Sequence, residues 1–164
     1  MKSGIGTRFA RRIAIFVISG IIVSAVWTAY TRAPGGAGTE DITLLQREIV
    51  SKLSGAEQIR AGLSLHDRTS LENRREVRTY LVDLLRRFGL EPIRQAYSEE
   101  GENICAELAA TQTPAETILL GAHYDSARNF PGANDNATGV AAVAAVARQL
   151  SLEKDRRRNL LFVF

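Results

Sequence analysis

The chain has 164 residues, enough for one domain with its own core, and carries 21 basic against 18 acidic residues for a formal net charge of +3. Five of the basic residues lie at or before Arg32 and every acidic residue follows it, so the rest of the chain is mildly acidic and gives no argument for a nucleic-acid partner. A single cysteine, Cys105, excludes a disulfide framework.

At the amino terminus, Lys2, Arg8, Arg11 and Arg12 precede Ile13–Tyr30, IAIFVISGIIVSAVWTAY, eighteen residues without a charge. That length meets the lower edge of a membrane span, roughly 17–25 apolar residues, and exceeds the apolar stretch of a cleaved signal peptide, about 7–15. Trp27, Tyr30 and Arg32 also crowd any small-residue cleavage site. The reading is a basic cytoplasmic tail over 1–12 and a transmembrane signal-anchor over 13–30, with a cleaved signal as the competitor. Positive charges before the span place the remainder outside the cytoplasm, so a membrane location and a membrane partner are expected. Residues 31–41 form a linker rich in Gly, Pro and Ala, and a globular part is expected over 42–164.

Within that part, Ile42, Leu45, Ile49 and Leu53 recur at helical spacing, and Gly55 can end the helix. Ser64–Ser70 is polar and turn-like, and its His66 reads as a surface loop histidine. A clearer helix covers Leu71–Phe88, with Val77, Leu81, Leu84, Leu85 and Phe88 on one face and Gly89 placed to terminate it. Its arginines are interspersed with Glu72, Glu76 and Asp83, the pattern of an ordinary charged surface. Strands are expected over Glu91–Tyr97, Asn103–Leu108 and Thr117–Ala122, separated by Gly101 and Thr111–Pro114. Cys105, in an apolar strand, reads as a small buried hydrophobe. Ala137–Leu150 is a small, apolar helix, Arg156–Arg158 a solvated loop, and Asn159–Phe164 a last hydrophobic strand.

The chemistry gathers in Thr117–Gly139, TILLGAHYDSARNFPGANDNATG: strand, polar loop, helix, with ionisable groups at the carboxyl end of the strand, where open α/β sheets bind ligands. In extended backbone, residues two apart share a side, so His123 and Asp125 project together while Tyr124 points away. An imidazole beside a carboxylate suits a metal site, the carboxylate either ligating or holding the second ring nitrogen. Asp135, returned by the loop, could add an oxygen ligand. The plainer reading is an exposed turn histidine with a capping aspartate, and the NDN triplet can equally form an Asx turn.

GAHYDS followed by PGANDNATGVAA resembles the zinc aminopeptidase family of leucyl aminopeptidases, aminopeptidase Y and glutamate carboxypeptidase (metallopeptidase family twenty-eight). TSLENRREVRTYLVDLLRRFGLEP is similar to the preceding segment of its membrane-bound members. The resemblance implies a site of two zinc ions in which His123 is a zinc ligand, Asp125 orients it, and Asp135 bridges the metals. It implies a partial three-layer α/β/α zinc-peptidase fold with a mixed sheet, preceded here by the transmembrane helix, and a peptide substrate. In the family, the strand matching Leu160–Phe164 leads to a glutamate pair, one a general base and one a zinc ligand. No position matches that pair, nor the further aspartate and histidine ligands, so the expectation is the amino-terminal part of a membrane-anchored zinc exopeptidase, inactive by itself. The alternative is a non-catalytic, membrane-tethered interaction module or a relic of such a peptidase.

Overall fold

A computed structural model describes residues 37–113 and 116–164. The chain divides at Asp41: the compact unit is Asp41–Phe164, and of Met1–Glu40 the described residues are the start of a helix. That helix, α1, is Ala37–Leu53. The stripe read from the sequence faces inward, with Ile49 and Leu53 fully buried and Leu45 packed against the same core. Past its end the chain turns at Gly55, whose φ of +76° puts a hypothetical Cβ 1.8 Å from the carbonyl oxygen of Leu65, so no other residue fits.

Helix α2, Leu71–Arg87, begins where the Ser70 hydroxyl accepts a hydrogen bond from the Asn73 amide. Glu72 in its first turn and Arg86 and Arg87 in its last suit the helix dipole. It stops at Phe88, and Gly89 follows with φ +77°. Val77, Leu81, Leu84 and Leu85 form its buried face.

The sheet contains β1 (Ile93–Ala96), β2 (Glu102–Leu108), β3 (Thr117–Gly121) and β4 (Asn159–Val163) in the spatial order β1-β2-β4-β3. The first two pairings are antiparallel and β3–β4 is parallel. A parallel pair needs a crossover, supplied by α3, Thr138–Ser151, which buries Val140, Ala141, Ala144 and Ala147. In register, Ile104 faces Phe164, Ala106 faces Phe162 and Leu108 faces Leu160. This side of the sheet carries the core with α2 and α3. Cys105, Leu161 and Val163 alternate to the other side and are half-buried, and Leu119 there is exposed. Cys105 is therefore corrected from a buried hydrophobe to a residue on the open face, its Sγ 4.0 Å from Gln95 Oε1. The expected three layers are corrected likewise: among the described residues the sheet has helices packed on one face.

The expectation of a membrane-spanning helix is also corrected. Among the described residues no helix is long and apolar enough to cross a membrane. α1 carries Arg47, Glu48 and Lys52, α2 is charged throughout, and α3 has 14 residues, about 21 Å of helix against a hydrocarbon core of about 30 Å. The span expected at 13–30 lies outside the described residues. The single-pass topology, the membrane partner and the extracytoplasmic placement all rested on that span and find no support among the described residues.

Candidate functional site

The site forms where β3 runs out past the sheet. Ala122 still donates to the Val163 carbonyl, and His123–Ser126 follow beyond the end of the strand. The alternation read from the sequence holds here: His123 and Asp125 are exposed, and Tyr124 between them is buried. The Tyr124 hydroxyl donates to the Glu102 carbonyl at 2.7 Å and accepts from Arg78 Nε at 2.6 Å. Burial pushes that phenol above its ordinary value, against the opposing pull of Arg78. Arg78, itself buried, also donates to the Glu100 carbonyl and lies 3.5 Å from Glu102, so α2 is tied to the strand exit.

His123 meets an aspartate at each ring nitrogen. Nδ1 is hydrogen-bonded to Asp125 Oδ1 at 3.1 Å, and Nε2 lies 3.1 Å from Asp135 Oδ1. Asp135 comes from a wide turn over Ala133–Ala137 in which it leaves helical geometry (φ −125°, ψ 88°), and its peptide bond to Asn136 is cis. The Asn136 side chain accepts from the Gly139 amide in the first turn of α3. Gly132, just before this turn, has φ +61°, and a Cβ there would meet Arg68 Nη2, Ser126 Cβ and the Asp135 carbonyl at 2.5–2.7 Å. A cleft of about 120 Å³ opens beside His123 and Asp125, walled by Arg74, Tyr97, Asn103 and Phe164.

His66 is exposed and lies outside this grouping. Its neighbours Asp67 and Arg68 matter more, and sequence reasoning missed both, because charged residues in a polar turn read as solvated. The Asp67 carboxylate accepts from the Thr69 hydroxyl, the Thr69 amide at 3.0 Å and the Asn129 amide at 2.9 Å, tying the turn before α2 to the loop before Asp135. These bonds, the Thr69 hydroxyl first, hold its pKa at about 2 instead of the ordinary 3.8. A folded value below the unfolded one means that ionised Asp67 favours the folded state above pH 3.8, and that this contribution fades as pH falls toward about 2. Asp67→Asn should flatten that part of the acid limb, as read from melting temperature against pH; an unchanged limb would remove Asp67 from the loop's support.

Comparison with known proteins bears on family and fold. Residues 103–164 match the family described as Peptidase family M28. Over 67 residues, 41% of this chain and 13% of the relative, the sequence is 43% identical to a probable lipoprotein aminopeptidase, LpqL, of Mycobacterium tuberculosis. Over 65 residues, 40% of this chain and 7% of the relative, it is 32% identical to a vacuolar membrane protease of Candida tropicalis. The fold resembles that of the Legionella pneumophila LapA aminopeptidase, with a TM-score of 0.56 at 15% identity over 77% of this chain and 37% of that one. Identity that low speaks for the fold alone. The chain contains, then, a peptidase-type α/β domain homologous to aminopeptidases. The match to peptidase family M28 is carried by the segment 103–164, and the chain spans a small fraction of the curated relatives it matches.

The zinc that the family implies does not find a full set of ligands here. Among the described residues no group of three or more His, Cys, Asp and Glu side chains could hold a metal ion. Asp125 is engaged on the Nδ1 side of the ring, away from Nε2, so only the imidazole nitrogen and one Asp135 oxygen converge. A catalytic zinc takes three protein ligands and a water. Among the described residues there is neither a membrane-length apolar helix nor a metal-holding cluster, which fits the non-catalytic alternative better than the membrane-anchored zinc exopeptidase.

Proposed function

We propose that the Asp41–Phe164 unit is a non-catalytic descendant of an M28 peptidase domain, retaining its scaffold and a remnant of its metal centre. His123 would give one nitrogen donor and Asp135 one oxygen donor, while Asp125 fixes the imidazole's tautomer. The observation that carries this reading is the double 3.1 Å contact of the His123 ring, with a carboxylate on each nitrogen. Such an arrangement leaves Nε2 and the Asp135 oxygen facing one point. Two donors are too few to hold a catalytic zinc, so no hydrolytic step is assigned to these residues. The family supports a peptide as the ancestral substrate, and fold alone does not choose among the reactions such scaffolds host.

The purified chain, supplied with zinc and amino-acid anilides, should release no product above a zinc-only blank. Turnover that disappears in His123→Ala would show a working peptidase and sink the non-catalytic reading.

A further inference from the structure

Arg68 is the largest fully buried side chain in the unit, with no exposure at all. A buried arginine needs an acceptor for each donor direction, and here all of the acceptors are backbone carbonyls. Nε donates to Tyr124 O at 2.7 Å, Nη1 to Leu53 O at 2.5 Å and to Pro131 O at 2.6 Å, and Nη2 to Gly132 O at 3.0 Å. Its own amide donates to Ser126 Oγ at 2.9 Å, and that hydroxyl in turn donates to Phe130 O at 3.1 Å. One side chain therefore joins three segments remote in sequence: the end of α1, the exit of β3, and the loop before the Ala133–Ala137 turn.

The choice of carbonyls is specific. Tyr124 lies between His123 and Asp125, and Gly132 lies three residues before Asp135. The contact between His123 Nε2 and Asp135 depends on how the strand exit sits against this loop, and the Arg68 guanidinium bridges those two backbones directly. Its planar fork can serve four carbonyls at once; a lysine has one nitrogen and cannot span them. Loss of the fork leaves buried acceptors without partners, which costs more than the bonds alone. Gly132 fits the same reading, because a side chain there would occupy the space taken by Arg68 Nη2.

We infer that Arg68 is a positioning residue that sets the spacing between His123 and Asp135 by clamping the backbone on either side of them. Its hydrogen bonds go to backbone carbonyls rather than to either side chain. Its functional meaning rests on the metal-donor reading proposed above, while its mechanical role does not.

The test compares the full chain with Arg68→Met and Arg68→Lys, using hydrogen exchange along the backbone and the ring nitrogen-15 signals of His123. In Arg68→Met, exchange over 124–136 should quicken by about tenfold or more, the order expected when a charged donor is withdrawn from buried carbonyls. Exchange within α2 should stay as it is. The His123 ring signals should move toward those of free histidine, a change that loss of general stability would not produce in a folded chain. Arg68→Lys should fall between the two. A folded Arg68→Met chain with native loop exchange and native His123 signals overturns the inference. If the methionine variant does not fold, the lysine variant decides by the same two readouts. Zinc titration of His123→Ala scores the metal reading separately: a loosened loop in the Arg68 variants, with zinc uptake indifferent to His123→Ala, keeps the clamp and removes the metal donors.

Discussion

Phe162→Ala should destabilise the Asp41–Phe164 unit by about 3–5 kcal/mol, enough to consume much of a small domain's stability. Phe162 is fully buried on β4, the strand flanked on both sides, where it pairs with Ala106 on β2 and Leu120 on β3. Its ring belongs to the core formed with α3, whose small residues Ala141 and Ala144 are themselves buried. Truncation removes the transfer free energy of the ring and leaves a cavity that neighbours on two strands and a helix cannot readily close. Leu161→Ala, one position along and on the half-open face, should cost clearly less. Urea unfolding at constant slope measures both. Equal costs would mean that the sheet is buried on both faces, against the one-sided packing described here.

That one-sidedness also marks what the sequence could not convey. The periodicity of α2 and the glycine after it were legible, because helix spacing and a left-handed terminator are local properties. The outward pairing of His123 and Asp125 about a buried Tyr124 was legible for the same reason: alternation needs only extended backbone. Thr117–Ala122 read as a strand that opens on an apolar run, yet Ile118 and Leu119 are exposed, since among the described residues β3 has a hydrogen-bonded neighbour on one side alone. An apolar run cannot say how many neighbours it will have. Cys105 was misjudged by the same gap, because which face of β2 meets helices depends on tertiary packing. Arg68 was invisible for a different reason: its acceptors come from residues 53, 124, 131 and 132, and nothing in SLHDRTS announces a cation that will be wrapped by carbonyls. Asp135 was placed by motif resemblance, and no local rule gives its approach to His123 Nε2. The Ile13–Tyr30 reading rested on length and hydropathy alone, and it falls outside the described residues, among which no helix is long and apolar enough to cross a membrane.

The second large effect concerns metal uptake. With one imidazole nitrogen and one carboxylate oxygen converging, the chain should bind zinc weakly and to no more than one equivalent, since water must fill the remaining positions. His123→Ala removes the nitrogen and Asp135→Ala the oxygen, and a single remaining donor is not a site, so each should abolish that binding while leaving the fold intact, both side chains being exposed. Asp125→Asn, which changes only the partner that orients the ring, should weaken binding less than either.

Zinc titration of the purified chain beside these three variants is the most direct test of the central claim, that His123 and Asp135 are two converging donors short of a complete centre. The account predicts weak binding in the unaltered chain, lost in His123→Ala and in Asp135→Ala and reduced in Asp125→Asn. Identical titrations for the unaltered chain and His123→Ala, or tight uptake of two equivalents by the unaltered chain, would contradict it.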